Sequence, residues 1–138
     1  MKRKNLVFLF CCLLIPSGVT GGDAFRVKAV YDGDTILLER GQRVRYAGID
    51  APEIDHEGGQ GEFMAEEARQ FNEALVRGTT VRIELDREKR DRYGRLLAYV
   101  YLDNGHMVNA LMVKRGYAHV LPKRPNLKLI LNSCQNIV

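Results

Sequence analysis

Hydrophobic positions recur with a period of two through much of this chain. Phe25, Val27 and Ala29 alternate with Arg26, Lys28 and Val30. Successive side chains of a strand point to opposite faces, so this predicts a half-buried strand from Phe25 to Asp32. Asp32-Gly33 is a hairpin turn signal, and Thr35 to Glu39 forms the return strand. Arg40-Gly41-Gln42 makes a second turn, and Arg43 to Ile49 a third strand, in which Gly48 marks a bend or a close backbone approach.

The period then changes. Asp50 to Gly61 holds Pro52, Gly58, Gly59 and Gly61 and reads as a loop. Glu62 to Arg77 carries Met64, Ala68, Phe71 and Leu75 at helical spacing. Glu62, Glu66 and Glu67 near its start and Arg77 near its end suit the helix dipole, and Gly78 stands just past the last turn. Period two returns from Thr79 to Asp86, with Val81, Ile83 and Leu85 on one face. Glu88 to Gly94 is a charged turn. Arg95 to Asp103 is apolar on both faces, as expected of a central strand. Met107 to Arg115 is a short helix closed by Gly116. Five strands with a helix between the third and fourth is the layout of an OB-type barrel, an α+β fold that is mainly β, here with two to three helices. Such barrels often bind oligonucleotides, but a fold does not assign a function.

The first 22 residues read differently. Lys2, Arg3 and Lys4 precede an uncharged run from Leu6 to Ile15, and small residues lead on to Gly22. That is the composition of a secretory signal peptide. The run has half of the roughly 20 apolar residues that a membrane-spanning helix needs. Cleavage after Gly21, Gly22 or Ala24 would leave a single domain, 23–138, secreted or periplasmic and without stable membrane insertion. Cys11 and Cys12 would leave with the signal, so Cys134 alone would remain and no internal disulfide could form. The precursor carries 21 basic and 17 acidic residues, a net charge of +4. Without Lys2, Arg3 and Lys4 the excess falls to about +1, so affinity for nucleic acid must be argued locally.

Locally, four acids flank two strand ends: Asp32 and Asp34 at one, Asp50 and Glu53 at the other. Hard divalent cations take several oxygen ligands, which carboxylates on adjacent loops supply. An EF-hand is excluded, because the twelfth position of a loop starting at Asp32 is Arg43 rather than glutamate. Asp-Gly-Asp on its own marks a solvated turn. Arg45 and Arg95 carry groups that grip phosphate oxygens in two-pronged fashion and stay charged at physiological pH. His56, His106 and His119 show no metal-ligand spacing.

In combination these segments say more. Tyr31-Asp-Gly-Asp-Thr35, Arg45-Tyr-Ala-Gly-Ile-Asp-Ala-Pro-Glu53 and Asp91-Arg-Tyr-Gly-Arg95 occur in that order, followed by Leu97-Ala-Tyr-Val-Tyr101 and Met107-Val-Asn109. The set resembles staphylococcal nuclease and its bacterial relatives over roughly Phe25 to Asn126. The resemblance implies calcium-dependent hydrolysis of single-stranded DNA and RNA by a monomer, leaving 3′-phosphate and 5′-hydroxyl ends. It implies that Asp34, Asp50 and the backbone carbonyl of Ala51 hold the calcium ion. It makes Glu53 the carboxylate that orients or deprotonates the attacking water, and Arg45 and Arg95 the pair that neutralises the phosphoryl group. Arg92 and Tyr93 would contact the substrate, although Tyr93 could equally pack its own turn.

The final segment departs from that pattern. The relatives carry aromatic residues near Leu121 to Lys123, where Leu121-Pro-Lys-Arg-Pro125 has none. Lys123 and Arg124 would add phosphate attraction or remain solvated. Leu127, Ile130, Leu131 and Cys134 keep helical spacing, with Asn126 as a cap, which fits either a shorter substitute helix or a truncated gene end. Two rival readings follow: an OB-type module that binds nucleic acid without cutting it, and an inactive truncated remnant.

Overall fold

The computed structural model describes residues 23–122 and 125. The expected signal peptide, Cys134, Lys123, Arg124 and the helix expected from Asn126 lie outside them. Among the described residues, seven strands and two helices follow one another as β1 (Ala24–Asp32), β2 (Thr35–Leu38), β3 (Arg43–Tyr46), β4 (Ile49–Asp50), α1 (Ala65–Val76), β5 (Thr80–Arg90), β6 (Leu96–Tyr101), α2 (Val108–Lys114) and β7 (His119–Val120). Five of the strands close a barrel in the order β1-β2-β3-β6-β5, the OB-type α+β architecture expected from the sequence.

The meander β1-β2-β3 pairs antiparallel, as does β5 with β6 and with β1. Closure comes from β3 and β6, which run parallel with Val44 opposite Leu96 and Tyr46 opposite Ala98. Inside lie Val27, Ile36, Leu38, Val44, Tyr46, Val81, Ala98 and Val100, all nearly inaccessible to solvent. Their β-branched and aromatic shapes fill the narrow interior of a five-stranded barrel.

Several expected boundaries move, each for a local reason. The third strand breaks after Tyr46, because Gly48 takes a φ of +78° that turns the chain, and Ile49–Asp50 leaves as β4 to pair with β7. The two-residue β7 carries no periodic signal and was not expected. In β1, a register shift between Val27 and Ala29 inverts the phase. Val30, opposite Ile36, packs on the core in place of Ala29. The helix α1 starts at Ala65 rather than Glu62, after Met64 in a left-handed conformation (φ +64°). Its buried face is Ala65, Ala68, Asn72 and Val76, with Phe71 and Leu75 at the margin. Strand β5 runs on through the stretch expected as a charged turn, to Arg90, leaving Leu85 41% exposed outside the barrel. The turn itself is confined to Asp91–Gly94.

Each helix sends one fully buried asparagine to the barrel. Asn72 of α1 donates to the Asp32 carbonyl at 3.0 Å and accepts from the Tyr46 hydroxyl at 2.8 Å. Asn109 of α2 accepts from Val100 N–H at 2.9 Å and donates to the carbonyls of Ala47 (2.9 Å) and Ala98 (3.2 Å). Asn109 ties the Ala47 corner to β6, and Asn72 ties the Asp32 turn to the Tyr46 side chain. An unsatisfied buried polar group costs about 1–3 kcal/mol. Asn109→Ala, which strands Val100 N–H and the Ala47 carbonyl, should therefore lower stability by about 2–4 kcal/mol in urea unfolding. Asn104→Ala, on an exposed turn, should change it by less than about 0.5 kcal/mol.

Candidate active site

A cleft of about 460 Å³ opens beside the β3–β6 seam, lined by residues from β3, the Ala47–Ile49 corner, the β5–β6 turn and Leu121. Arg45, Arg92, Tyr93 and Arg95 all line it. The parallel seam makes this possible. Arg45 stands opposite Leu97, and Arg95 immediately precedes β6 on the same side of the seam. Fifty residues of sequence thus collapse into neighbouring positions on one surface.

Asp34, Asp50, Ala51 and Glu53 do not line that cleft; they gather behind the head of Arg45. Asp34 is 1% exposed. Its Oδ2 pairs with Arg45 Nη1 and accepts the Ala51 N–H at 2.8 Å, while Oδ1 accepts from Thr35 Oγ1 at 3.1 Å. The other arm of Arg45, Nη2, reaches Asp50 Oδ1 at 2.6 Å. Arg45 therefore bridges a carboxylate of the β1–β2 turn and one of β4. Asp50 is fixed in turn by pairing with His119 of β7. Asp32 holds the turn by accepting Asp34 N–H at 3.1 Å.

The electrostatics of this group are unbalanced. Burial pushes the Asp34 carboxyl from 3.8 up to about 7, against the pull of Arg45 and with a further push from Asp32. Glu53 is also raised from its ordinary value, by desolvation first and then by Asp32, with Arg45 and Arg95 both pulling it down. Glu53 thus stands within the field of both arginines. Among the described residues its carboxylate accepts no hydrogen bond, while its backbone is held by Glu62. Glu53 N–H donates to Glu62 Oε2 at 2.9 Å and Glu62 N–H to the Glu53 carbonyl at 3.0 Å.

Arg95 is aimed by a residue to which sequence reasoning gave no role. Asp91 Oδ2 accepts Arg95 Nε–H at 2.7 Å and Oδ1 accepts Arg95 N–H at 3.0 Å, closing the Asp91–Gly94 turn around it. Burial raises the Asp91 carboxyl, but the bonds from Arg95 outweigh it and hold the group below its ordinary value. The signal was an aspartate four residues before the arginine across a Tyr-Gly turn. Tyr93 is 67% exposed and carries two guanidinium groups over its ring, Arg92 at 4.8 Å and Arg95 at 5.4 Å. Leu121 supplies an apolar wall where aromatic residues were missed.

The Asp34 shift has a measurable consequence. With its carboxyl raised in the fold, the native chain keeps a proton that the unfolded chain loses above about pH 4. Stability contributed by this group is complete below the unfolded value and is lost as pH rises through about 7, by up to about 4 kcal/mol. Asp91 acts in the opposite sense and only below the usual carboxylate range. In chelator, the melting temperature should therefore decline between pH 4.5 and 7 in the wild type, and Asp34→Asn should show a clearly smaller decline, Glu53 being raised in the same sense. Parallel profiles for the two proteins would contradict the assignment.

The chain is similar to known proteins. The profile of the family described as staphylococcal nuclease homologue matches residues 43–133, well over half of the chain. The thermonuclease of Staphylococcus intermedius is 37% identical over 110 residues, covering 78% of this chain and 65% of that protein. The thermonuclease of Staphylococcus hyicus is 36% identical over 107 residues, covering 75% and 63%. Endonuclease YncB of Bacillus subtilis is 39% identical over 104 residues, covering 72% and 49%. The chain spans just under two thirds of the length of the two thermonucleases and about half of that endonuclease. With its closed five-stranded barrel and its paired arginines, the chain belongs to the staphylococcal nuclease family.

Proposed function

We propose that this protein is a calcium-dependent phosphodiesterase that hydrolyses single-stranded DNA and RNA, leaving 3′-phosphate and 5′-hydroxyl ends. The observation that carries the reading is the convergence of Arg45 and Arg95 on one cleft, with Glu53 in the field of both and two carboxylates behind Arg45.

Phosphodiester hydrolysis places extra negative charge on the phosphorus oxygens, and fixed cations already aimed at that charge lower the barrier. Arg45 is oriented by Asp34 and Asp50, and Arg95 by Asp91, so neither has to reorganise when charge develops. Glu53 orients or deprotonates the attacking water. Burial raises its carboxyl above its ordinary value, which makes it a better proton acceptor than a solvated glutamate. Tyr93 and Arg92, exposed at the cleft wall, contact the nucleotide. A single strand fits this reading better than a duplex, because the exposed Tyr93 ring offers a stacking platform for an unpaired base.

The donor set fits a hard divalent cation. Asp34 and Asp50 share a single guanidinium, and burial first, then the neighbouring Asp32, raises the Asp34 carboxyl against the pull of Arg45. No cluster of three His, Cys, Asp or Glu side chains forms a ready cage among the described residues. Asp34, Asp50 and the Ala51 carbonyl would therefore hold the ion together with water. When bound, calcium would supply a Lewis acid for a phosphate oxygen. Secretion, and action as a monomer, complete the proposal; no helix among the described residues is long and apolar enough to cross a membrane.

On denatured DNA the protein should cut with calcium and stop in excess chelator. Glu53→Gln and Arg95→Ala should each lower kcat by about 100-fold or more. A folded protein that binds the strand without cutting it under any of these conditions would make it a binding module instead. Calcium should also raise the melting temperature at pH 8 more than at pH 5, where protonated Asp34 competes with the ion.

A further inference from the structure

On the outer face of the barrel, residues that stand opposite one another form rows. One row is Ala29, Leu37 and Arg43; the next is Asp32, Thr35 and Arg45. Tyr31 lies between them, at the register shift between Val30 and Asp32. A bulge re-aims side chains at such a point. Here the Tyr31 ring meets the Arg43 guanidinium, whose Cζ is 4.9 Å from the ring centroid. His56, on the loop that carries Glu53, meets the same ring edge-on, with centroids 6.3 Å apart and planes at 90°.

This cluster adjoins the cleft. Arg43 precedes Val44, Arg95 precedes Leu96, and Val44 and Leu96 are partners across the parallel seam. Arg43 therefore stands beside Arg95 in the sheet. It also shares the outer face of β3 with Arg45, while Val44 and Tyr46 face the core. Two residues of strand separate Arg43 and Arg45 by about 6.8 Å, on the scale of one nucleotide step in an extended strand. Arg45 and Arg95 are neutralised by carboxylates. Arg43 is exposed and has no carboxylate partner among the described residues, so its charge is available. The same device, an arginine over a tyrosine, stands on the far side of Arg95 as Arg92 and Tyr93.

We propose that Arg43, seated over Tyr31, is a second holding point for single-stranded nucleic acid, taking a backbone phosphate beyond the reactive one on the side away from Tyr93. The inference rests on the phosphodiesterase reading and adds to it the direction in which the strand leaves the site. Arg43 supplies the charge. Tyr31 and His56 keep its long side chain from sampling other positions, which lowers the entropy lost on binding.

The test is fluorescence anisotropy in excess chelator, comparing an oligothymidylate of about a dozen nucleotides, within the site sizes of such folds, with a dinucleotide competitor. Arg43→Gln should weaken the longer strand about five- to tenfold and flatten its log–log salt slope by about 0.7. The ratio of long-strand to dinucleotide affinity should fall accordingly. Tyr31→Leu should move the ratio in the same direction. Arg40→Gln is the control: Arg40 also lies over a ring, Phe25 at 5.6 Å, but at the opposite end of β1 from Asp32. It should leave the ratio within about twofold. An unchanged ratio in Arg43→Gln, or an equal fall in Arg40→Gln, overturns the proposal. Calcium-dependent cutting is scored separately. A wild type that cuts while the ratio stays constant removes the second holding point alone. A lowered ratio in a chain that never cuts removes the phosphodiesterase reading and leaves the holding point standing.

Discussion

The parallel pairing of β3 with β6 is the constraint on which the rest of this molecule depends. The other pairings in the barrel join antiparallel strands. This one joins strands separated by a loop, a helix and a long hairpin, and it sets the register between Arg45 and Arg95. A slip of one residue along it would turn every β6 side chain to the opposite face. Arg95 would then leave the surface that carries Arg45. The seam also opens the cleft, because β3 breaks at Gly48 just where β6 continues, so the two backbones diverge at that corner.

What fixes the register is the core on one side and two amides on the other. Val44, Tyr46, Ala98 and Val100 interlock inside the barrel. Asn109 then spans the corner, bonding Ala47 just past β3 and Ala98 and Val100 on β6. Asn72 does the same for the Asp32 turn and Tyr46. The helices therefore cover the barrel with small and apolar residues and pin it with one amide each. Hydrogen bonds in so dry a setting are costly to leave unmade, which makes them strict about geometry.

Around the candidate site the fold tolerates an arrangement that no stable core would choose. Asp34 is inaccessible and sits beside Asp32, with a single guanidinium shared between Asp34 and Asp50. Burial, with a further push from Asp32, raises the Asp34 carboxyl against the pull of Arg45. Burying charge with incomplete compensation is destabilising, so clusters of this kind mark places where a ligand completes the set. Arg95, by contrast, is fully served by its own turn through Asp91.

Much of this was legible in the sequence. The period-two runs, the Asp-Gly turn and the helical stripe gave five barrel strands and two helices, because side-chain burial on one face imprints its period directly on the chain. The three motifs in order named Asp34, Arg45, Asp50, Glu53 and Arg95. The Asp91-Arg-Tyr-Gly-Arg95 run was legible too, although the role of Asp91 in aiming Arg95 was not. Other features were decided only by the tertiary structure. The rephasing of β1, the extension of β5 to Arg90 and the two-residue β7 follow from partners brought in by closure, and a strand of two residues has no period to read. Alternation cannot foresee a bulge, so nothing local announced that Tyr31 would sit beneath Arg43. Nor could it announce that Arg45 would bridge Asp34 and Asp50, since that bridge exists only once strands distant in the chain have been locked into one register.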